Sequence, residues 1–232
     1  MPALIADRAR PAALVTIAVG AVVTVALAVV VWRGTTTSFD SWVIVHSLRD
    51  LGPLDGSRRR AWLFFSEPVI SLLVPVVVVV WAWRTRQARL AVFGVVAPLL
   101  AIGVTELIGK PLVGRWIGPN VLAGSTLGAQ RGSYPSGHET GTVSWLLLVL
   151  LVVFARTRDR RVRAAASVAA GLWALAGAFG LTVNYYHYAT DTIGAICCTA
   201  AVVLGMALLL DRYGDAWGAA VRRRVRRDER VG

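Results

Sequence analysis

The sequence predicts an all-α protein, a polytopic membrane helical bundle with six transmembrane helices and both termini cytoplasmic, and three observations predict it. Apolar residues make up 56% of the 232, and mean hydropathy is +0.61, too apolar for one soluble domain. Six apolar runs, near 12–32, 61–83, 90–108, 140–155, 164–183 and 192–210, are continuous rather than alternating, and a helical span needs roughly 17 to 25 residues. Arginines cluster in alternate connections between those runs, the positive-inside pattern. Backbone in hydrocarbon is satisfied only inside helices or closed barrels, so continuous runs mean helices.

The first run follows Arg8 and Arg10. Its Ala26-Leu27-Ala28 imitates a signal-peptide cleavage site. The run nevertheless stays apolar to Trp32, beyond the ~7 to 15 residues of a signal-peptide core, and so reads as an uncleaved anchor. In the outer segment 33–60, Trp42, Val43, Val45 and Leu48 outline a short amphipathic helix at the interface. His46 there is a surface histidine, and Gly52, Pro53, Asp55 and Gly56 mark turns. Arg58, Arg59 and Arg60 stand outside as a local exception to a rule about totals.

The second run holds Glu67 a turn or two inside, and the third holds Glu106 near its outer end. The outer loop 109–139 is long and rich in Gly, Pro and Asn, the kind of connection that carries function. The fourth run is the shortest and extends back toward Gly137. The loop 184–191, "NYYHYATD", opens to the same outer side. Cys197 and Cys198, adjacent inside the last run, cannot pair with each other and read as small packing residues. No repeat or second domain interrupts 1–232, of which 211–232 is a basic cytoplasmic tail.

The formal net charge is +12. Arg8 and Arg10, Arg84, Arg86 and Arg89, the five arginines between Arg156 and Arg163, and the tail "VRRRVRR" all fall on one side of six spans. Topology therefore accounts for the surplus, and nothing beyond charge supports a nucleic-acid partner. The tail is first a topology signal; with Trp217 it also suits rest against anionic lipid.

Two of the three histidines, His138 and His187, and the single lysine, Lys110, lie on the outer side. Glu106 precedes Lys110 by four residues, the favourable order for a helical ion pair. Glu106 and Glu67 are expected to hold other groups in place rather than to react. Lys110, Arg115 and Arg131, with the Ser136 hydroxyl and the Gly137 amide at a helix start, would cradle an anion, and phosphate is the obvious guest. Phosphoryl transfer needs a nucleophile, an acid at the leaving oxygen, and positive charge around the equatorial oxygens. His187 and Asp191 are four apart, so the carboxylate can hold one ring nitrogen and leave the other to attack; His138 is then the acid.

"PSGH" at 135–138, Lys110 before it, and His187 with Asp191 after it resemble the type 2 phosphatidic acid phosphatase superfamily of lipid phosphate phosphatases, related to haloperoxidases. The resemblance covers most of the chain. It implies a phosphohistidine mechanism on the outer face, with His187 as nucleophile, Asp191 its orienting partner, His138 the general acid, and Lys110, Ser136 and the Gly137 amide as phosphate ligands. The chain departs from the signatures at two places. Ile117 and Gly118 stand where an Arg-Pro pair is usual, and Gly180 and Leu181 stand where Ser-Arg is usual. Arg115, in "VGR", matches an arginine often found in the first motif, and Arg115 and Arg131 are candidates to replace the missing charge.

Two other readings compete. A serine hydrolase would use Ser136, a histidine and Asp191, but the G-x-S-x-G elbow is absent and one histidine would be idle. A transporter or anionic-lipid binding protein would use Glu67 and Glu106 with catalysis lost. The expectation is a lipid phosphate or diphosphate phosphatase of the cell membrane, partnered only by substrate and membrane lipids. No cofactor or metal is expected, because no cluster has metal-ligand spacing. Polyprenyl diphosphate, phosphatidate and phosphatidylglycerophosphate all stay open as substrates. The Arg and Ala bias of a GC-rich bacterial genome puts the polyprenyl lipid first, and oligomeric state is not legible.

Overall fold

The computed structural model describes residues 3–32, 36–50, 56–117 and 130–228. The chain is helical along its apolar runs: α1 (Arg10–Val31), α2 (Ser38–Asp50), α3 (Gly56–Ala61), α4 (Pro68–Arg84), α5 (Ala88–Gly103), α6 (Lys110–Val113), α7 (Gly137–Arg156), α8 (Arg160–Val183) and α9 (Ala189–Asp228). A 3₁₀ turn, Trp62–Ser66, joins α3 to α4, and a π-helical turn, Val104–Gly109, joins α5 to α6. Among the described residues the one strand pairing is β1 (Trp116–Ile117) antiparallel to β2 (Gln130–Arg131). The expected turn at Gly52, Pro53 and Asp55, and Gly118, lie outside the described residues, as do the side chains of Leu48, Trp217 and the tail arginines.

Five helical stretches are long and apolar enough to cross a membrane: Asp7–Val31, Ala88–Val113, Gly137–Arg156, Arg160–Val183 and Ala189–Gly214. The sixth apolar helix, Pro68–Arg84, has 17 residues and is shorter. The expected run 61–83 therefore does not form one helix. Pro68 has no N–H to give, and a residue before proline is driven out of the helical region. Glu67 accordingly takes an extended conformation (φ −61°, ψ 125°) and breaks the run. Glu67 is thus the exposed N-cap of α4 and not a residue inside a span. The fourth run does begin at Gly137, where Ser136 caps the helix by accepting from the Glu139 amide.

The interior is built around α7 and α9. Helix α9 packs on α1, α5 and α7, while α7 also packs on α4, α5 and α8. Ala97 and Ala101 of α5, Leu148 of α7, and Val203 and Ala207 of α9 meet in one cluster; such small residues let helix backbones approach closely. Helix α1 keeps one edge on α9, with Gly20 against the Cys197 carbonyl, and leaves Val15, Val22 and Val29 exposed, as a lipid-facing helix does.

Where the α4–α5, α7–α8 and N-terminal arginines gather, one carboxylate ties the chain ends together. Asp211 on α9 accepts from the Leu4 and Ile5 amides at 2.7 and 2.8 Å and from Arg89 at 3.3 Å. Both charged side chains are buried. Asp211→Ala removes the carboxylate that pairs with the buried Arg89, a loss of about 3 to 5 kcal/mol for a broken buried pair. A lowered melting temperature in detergent, with faster proteolysis ahead of Arg10, is the expected outcome.

Candidate active site

The site lies at the end of the bundle opposite those arginines, and Lys110 reaches it because of the π turn. Pro111 cannot donate to the carbonyl four residues back, and its ring crowds that carbonyl, so the helix widens over Val104–Gly109 before closing again. Glu106 and Lys110 then form an ion pair at 2.7 Å. This pair sits directly against the first residue of α7. A Cβ on Gly137 would overlap the Glu106 carboxylate and lie 3.4 Å from Lys110 Nζ. Glycine at 137 is what lets the pair approach the helix N-terminus, where amides and macrodipole favour an anion.

Arg115 follows Gly114, which ends α6 in the left-handed conformation (φ 61°) and turns the chain under the bundle. Its carbonyl accepts the Gly132 and Ser133 amides, at 2.9 and 3.0 Å, fixing the strand that leads into the Ser136 cap. Its side chain is fully buried. Nη1 donates to Asp191 Oδ1 at 2.5 Å and to Thr190 Oγ1 at 2.7 Å; Nη2 donates to Asp40 Oδ2 at 2.7 Å; and the guanidinium lies 4.0 Å over the Tyr188 ring. Arg115 is therefore packed behind Asp191, not inside the cavity described below, and its bonds to Asp40, Asp191 and Thr190 hold it there. Arg131 lies exposed, its guanidinium 4.7 Å over the Trp116 ring, and it does not line the cavity described below.

Asp191 and His187 meet across Ser133. The Ser133 hydroxyl donates to Asp191 Oδ2 and lies 3.4 Å from His187 Nδ1, while Oδ2 itself is 3.6 Å from that nitrogen and accepts the Tyr188 amide at 3.0 Å. With Nδ1 turned to these groups, Nε2 of His187 makes no hydrogen bond among the described residues. Ser136 is fully buried, and its backbone amide donates to the Asp191 carbonyl. Tyr134 wedges against Gly194 and donates to the Thr24 carbonyl at 2.6 Å. Burial first, then the Cys198 thiol and the Asp191 carboxylate, pushes its phenol up, so it remains a donor.

The His138 and His187 rings, from α7 and from the α8–α9 connection, stand 6.1 Å apart at 63°, about the span of one tetrahedral anion. Tyr186 edges on His138 at 6.0 Å. His138, Gly137, Lys110 and Glu106 form the polar end of a cavity of about 530 Å³. Apart from Ser71, its remaining wall is apolar, with Pro68, Leu72, Val76 and Val80 of α4 and Val95, Leu99 and Ile102 of α5. Glu67 immediately precedes the lining Pro68 and does not itself line the cavity. Among the described residues no three of His, Cys, Asp and Glu converge as metal ligands.

Residues 94–214, just over half of the 232, match the sequence model of the PAP2 superfamily. The chain belongs to the PAP2 superfamily. Members of that superfamily are phosphatases, which makes a phosphoric ester hydrolase the general class here. No curated protein and no solved structure matches the chain.

The two departures from the PAP2 signatures have structural correlates. At Gly180 the Trp62 carbonyl of the 3₁₀ turn lies within 2.5 Å of where a Cβ would be, so the turn rests on bare α8 backbone. Leu181 is buried and its carbonyl accepts the Tyr186 and His187 amides. Residue 181 thus positions His187 through its backbone and supplies no charge to the PAP2 site. At the first departure, the Ile117 backbone is taken up by pairing with Gln130.

Asp40 and Ser133 were not signalled by spacing. Asp40 lies in a separate helix, α2, and Ser133 is a serine in a loop rich in small residues. The packing at residue 137 is open to test. Gly137→Ala pushes the Glu106 carboxylate aside at about 1 to 3 kcal/mol, the usual range for overpacking. The expected melting temperature is lower for Gly137→Ala and recovers in Glu106→Ala/Gly137→Ala.

Proposed function

We propose that the chain is a lipid phosphate or diphosphate phosphatase that removes the terminal phosphate at the extracytoplasmic face of the cell membrane. The cavity supports this reading: His138, Lys110, Glu106 and the start of α7 close one end, the His187 ring stands 6.1 Å from that of His138, and mostly hydrocarbon side chains line the rest. A phosphate joined to a long apolar chain fits both halves. The sixth span is read in Pro68–Arg84, at the lower limit of roughly 17 residues for crossing. With that count, the arginine-rich end faces the cytoplasm and both termini lie inside.

In the reaction we propose, His187 Nε2 attacks phosphorus as the bond to the lipid oxygen breaks, and His138 gives its proton to that oxygen. Water then attacks the phosphohistidine, His138 takes a proton from it, and the N–P bond returns its electron pair to His187. Asp191 and Ser133 hold the ring and offset the charge that develops on it. Lys110 and the Gly137 amide bind the equatorial oxygens, with Glu106 orienting the lysine. Polyprenyl diphosphate is the substrate favoured first, on the strength of the apolar cavity and the Arg and Ala bias of the composition.

A second reading has one observation behind it. Positive charge in the site is sparse, because Ile117 and Leu181 stand at the signature arginine positions and Arg115 is held by two carboxylates. A protein so depleted would bind an anionic lipid without turning it over.

Phosphate release by the purified protein across polyprenyl diphosphate, phosphatidate and phosphatidylglycerophosphate decides between them. The expected result is turnover of a long-chain substrate, inhibited by vanadate, and lower by about 10²- to 10⁴-fold or more in His138→Ala and His187→Ala. Binding of these lipids with no release from any of them would favour the second reading.

A further inference from the structure

Asp40 belongs to α2, an outer helix 75 residues before Arg115. It is nevertheless fully buried, and its carboxylate is saturated. Oδ2 accepts from Arg115 Nη2 at 2.7 Å, from the Thr37 and Thr190 hydroxyls at 2.9 Å each, and from the Thr37 amide at 3.3 Å. Oδ1 accepts the Thr190 amide at 2.9 Å. Thr190 is the residue before Asp191, so Asp40 grips the start of α9 both directly and through the guanidinium.

The charges make this more than an anchor. One guanidinium stands between two carboxylates, Asp40 and Asp191, which leaves the trio with one net negative charge. Were Arg115 paired with Asp191 alone, the pair would be neutral and Asp191 would have little to offer the imidazole beside it. In a buried setting such sharing is felt across several ångströms, because little water screens it.

We propose that Asp40 is a positioning residue for His187: by engaging one side of the Arg115 guanidinium, it keeps net negative charge on Asp191, directed at the ring, and makes the site depend on the seating of α2. The proposal rests on the reading of His187 as the reacting group, but its test does not require turnover. The other ionisable groups around the two rings are His138 on α7, Lys110 and Glu106 on the α5–α6 stretch, Glu67 before α4, and the Tyr134, Tyr186 and Tyr188 phenols. None of them is altered in the variants below.

The experiment is an NMR titration of histidine-labelled full-length protein in detergent micelles, with the His187 signal assigned by its loss in His187→Gln. Asp40→Asn removes a negative charge and lowers the midpoint by about one pH unit, tenfold in proton affinity. Arg115→Gln removes a positive charge and raises it. Asp40→Asn/Arg115→Gln restores the net charge and returns the midpoint close to that of the unaltered protein. Thr190→Ala, which removes hydrogen bonds but no charge, leaves it in place.

Opposite shifts in the two single variants support the proposal. An unmoved midpoint, or shifts of the same sign, overturns it and leaves Asp40 as a packing anchor only. If Asp40→Asn does not fold, the direction of the Arg115→Gln shift decides. Phosphate release measured on the same samples separates the two claims: absence of turnover in the unaltered protein counts against the proposed function, while the titration still answers for Asp40.

Discussion

The arrangement depends on one buried guanidinium. Arg115 bonds through its side chain to α2 and α9, and through its carbonyl to the strand that leads into α7. Three segments far apart in the chain are thereby fixed to one another at the end of the bundle where both histidines lie. Burying a charge of this kind is costly unless its hydrogen bonds are filled and its charge is matched. Here two carboxylates, a hydroxyl and an aromatic face surround it, and both carboxylates are themselves held by backbone amides and hydroxyls. Geometry that strict is what keeps Asp191 beside His187 in a structure otherwise held mainly by contacts between apolar helices.

Helices that pack through alanine and glycine come close together but have little in their contacts to define register. The polar end supplies the definition. Tyr134 fixes the loop before α7 to α1, Ser136 caps α7 while its amide bonds to α9, and the Glu106–Lys110 pair rests on Gly137. Beside these bonds, side chains of α4 and α5 wall the apolar cavity. Rigid polar closure at one end and an open hydrocarbon wall along the side are two aspects of the same packing.

Much of this is legible in the residues themselves. The apolar runs locate five long helices, Ser136 before a helix start signals its cap, and Glu106 four residues before Lys110 foretells their pair, because each is a local relation of spacing or propensity. The break before Pro68 was written in that proline, but a window that averages hydropathy passes over it. The place of Arg115 was not legible. An arginine beside a phosphate signature reads as an anion ligand, and only the long-range approach of Asp40 and Asp191 turns it away from the cavity. Asp40 itself lies in an amphipathic stretch where an acid is ordinary, so no pattern along the chain distinguishes it from a surface aspartate.

The contact between the Trp62 carbonyl and Gly180 constrains how this chain can vary. A side chain of any size at 180 requires the turn before α4 to withdraw, and that turn is itself packed on α8 through Trp62, Phe64 and Phe65 against Phe179 and Trp173. The serine of the usual Ser-Arg pair would thus not fit at 180 while the turn stays in place. Introducing that pair would require the turn before α4 to be rebuilt along with residues 180 and 181.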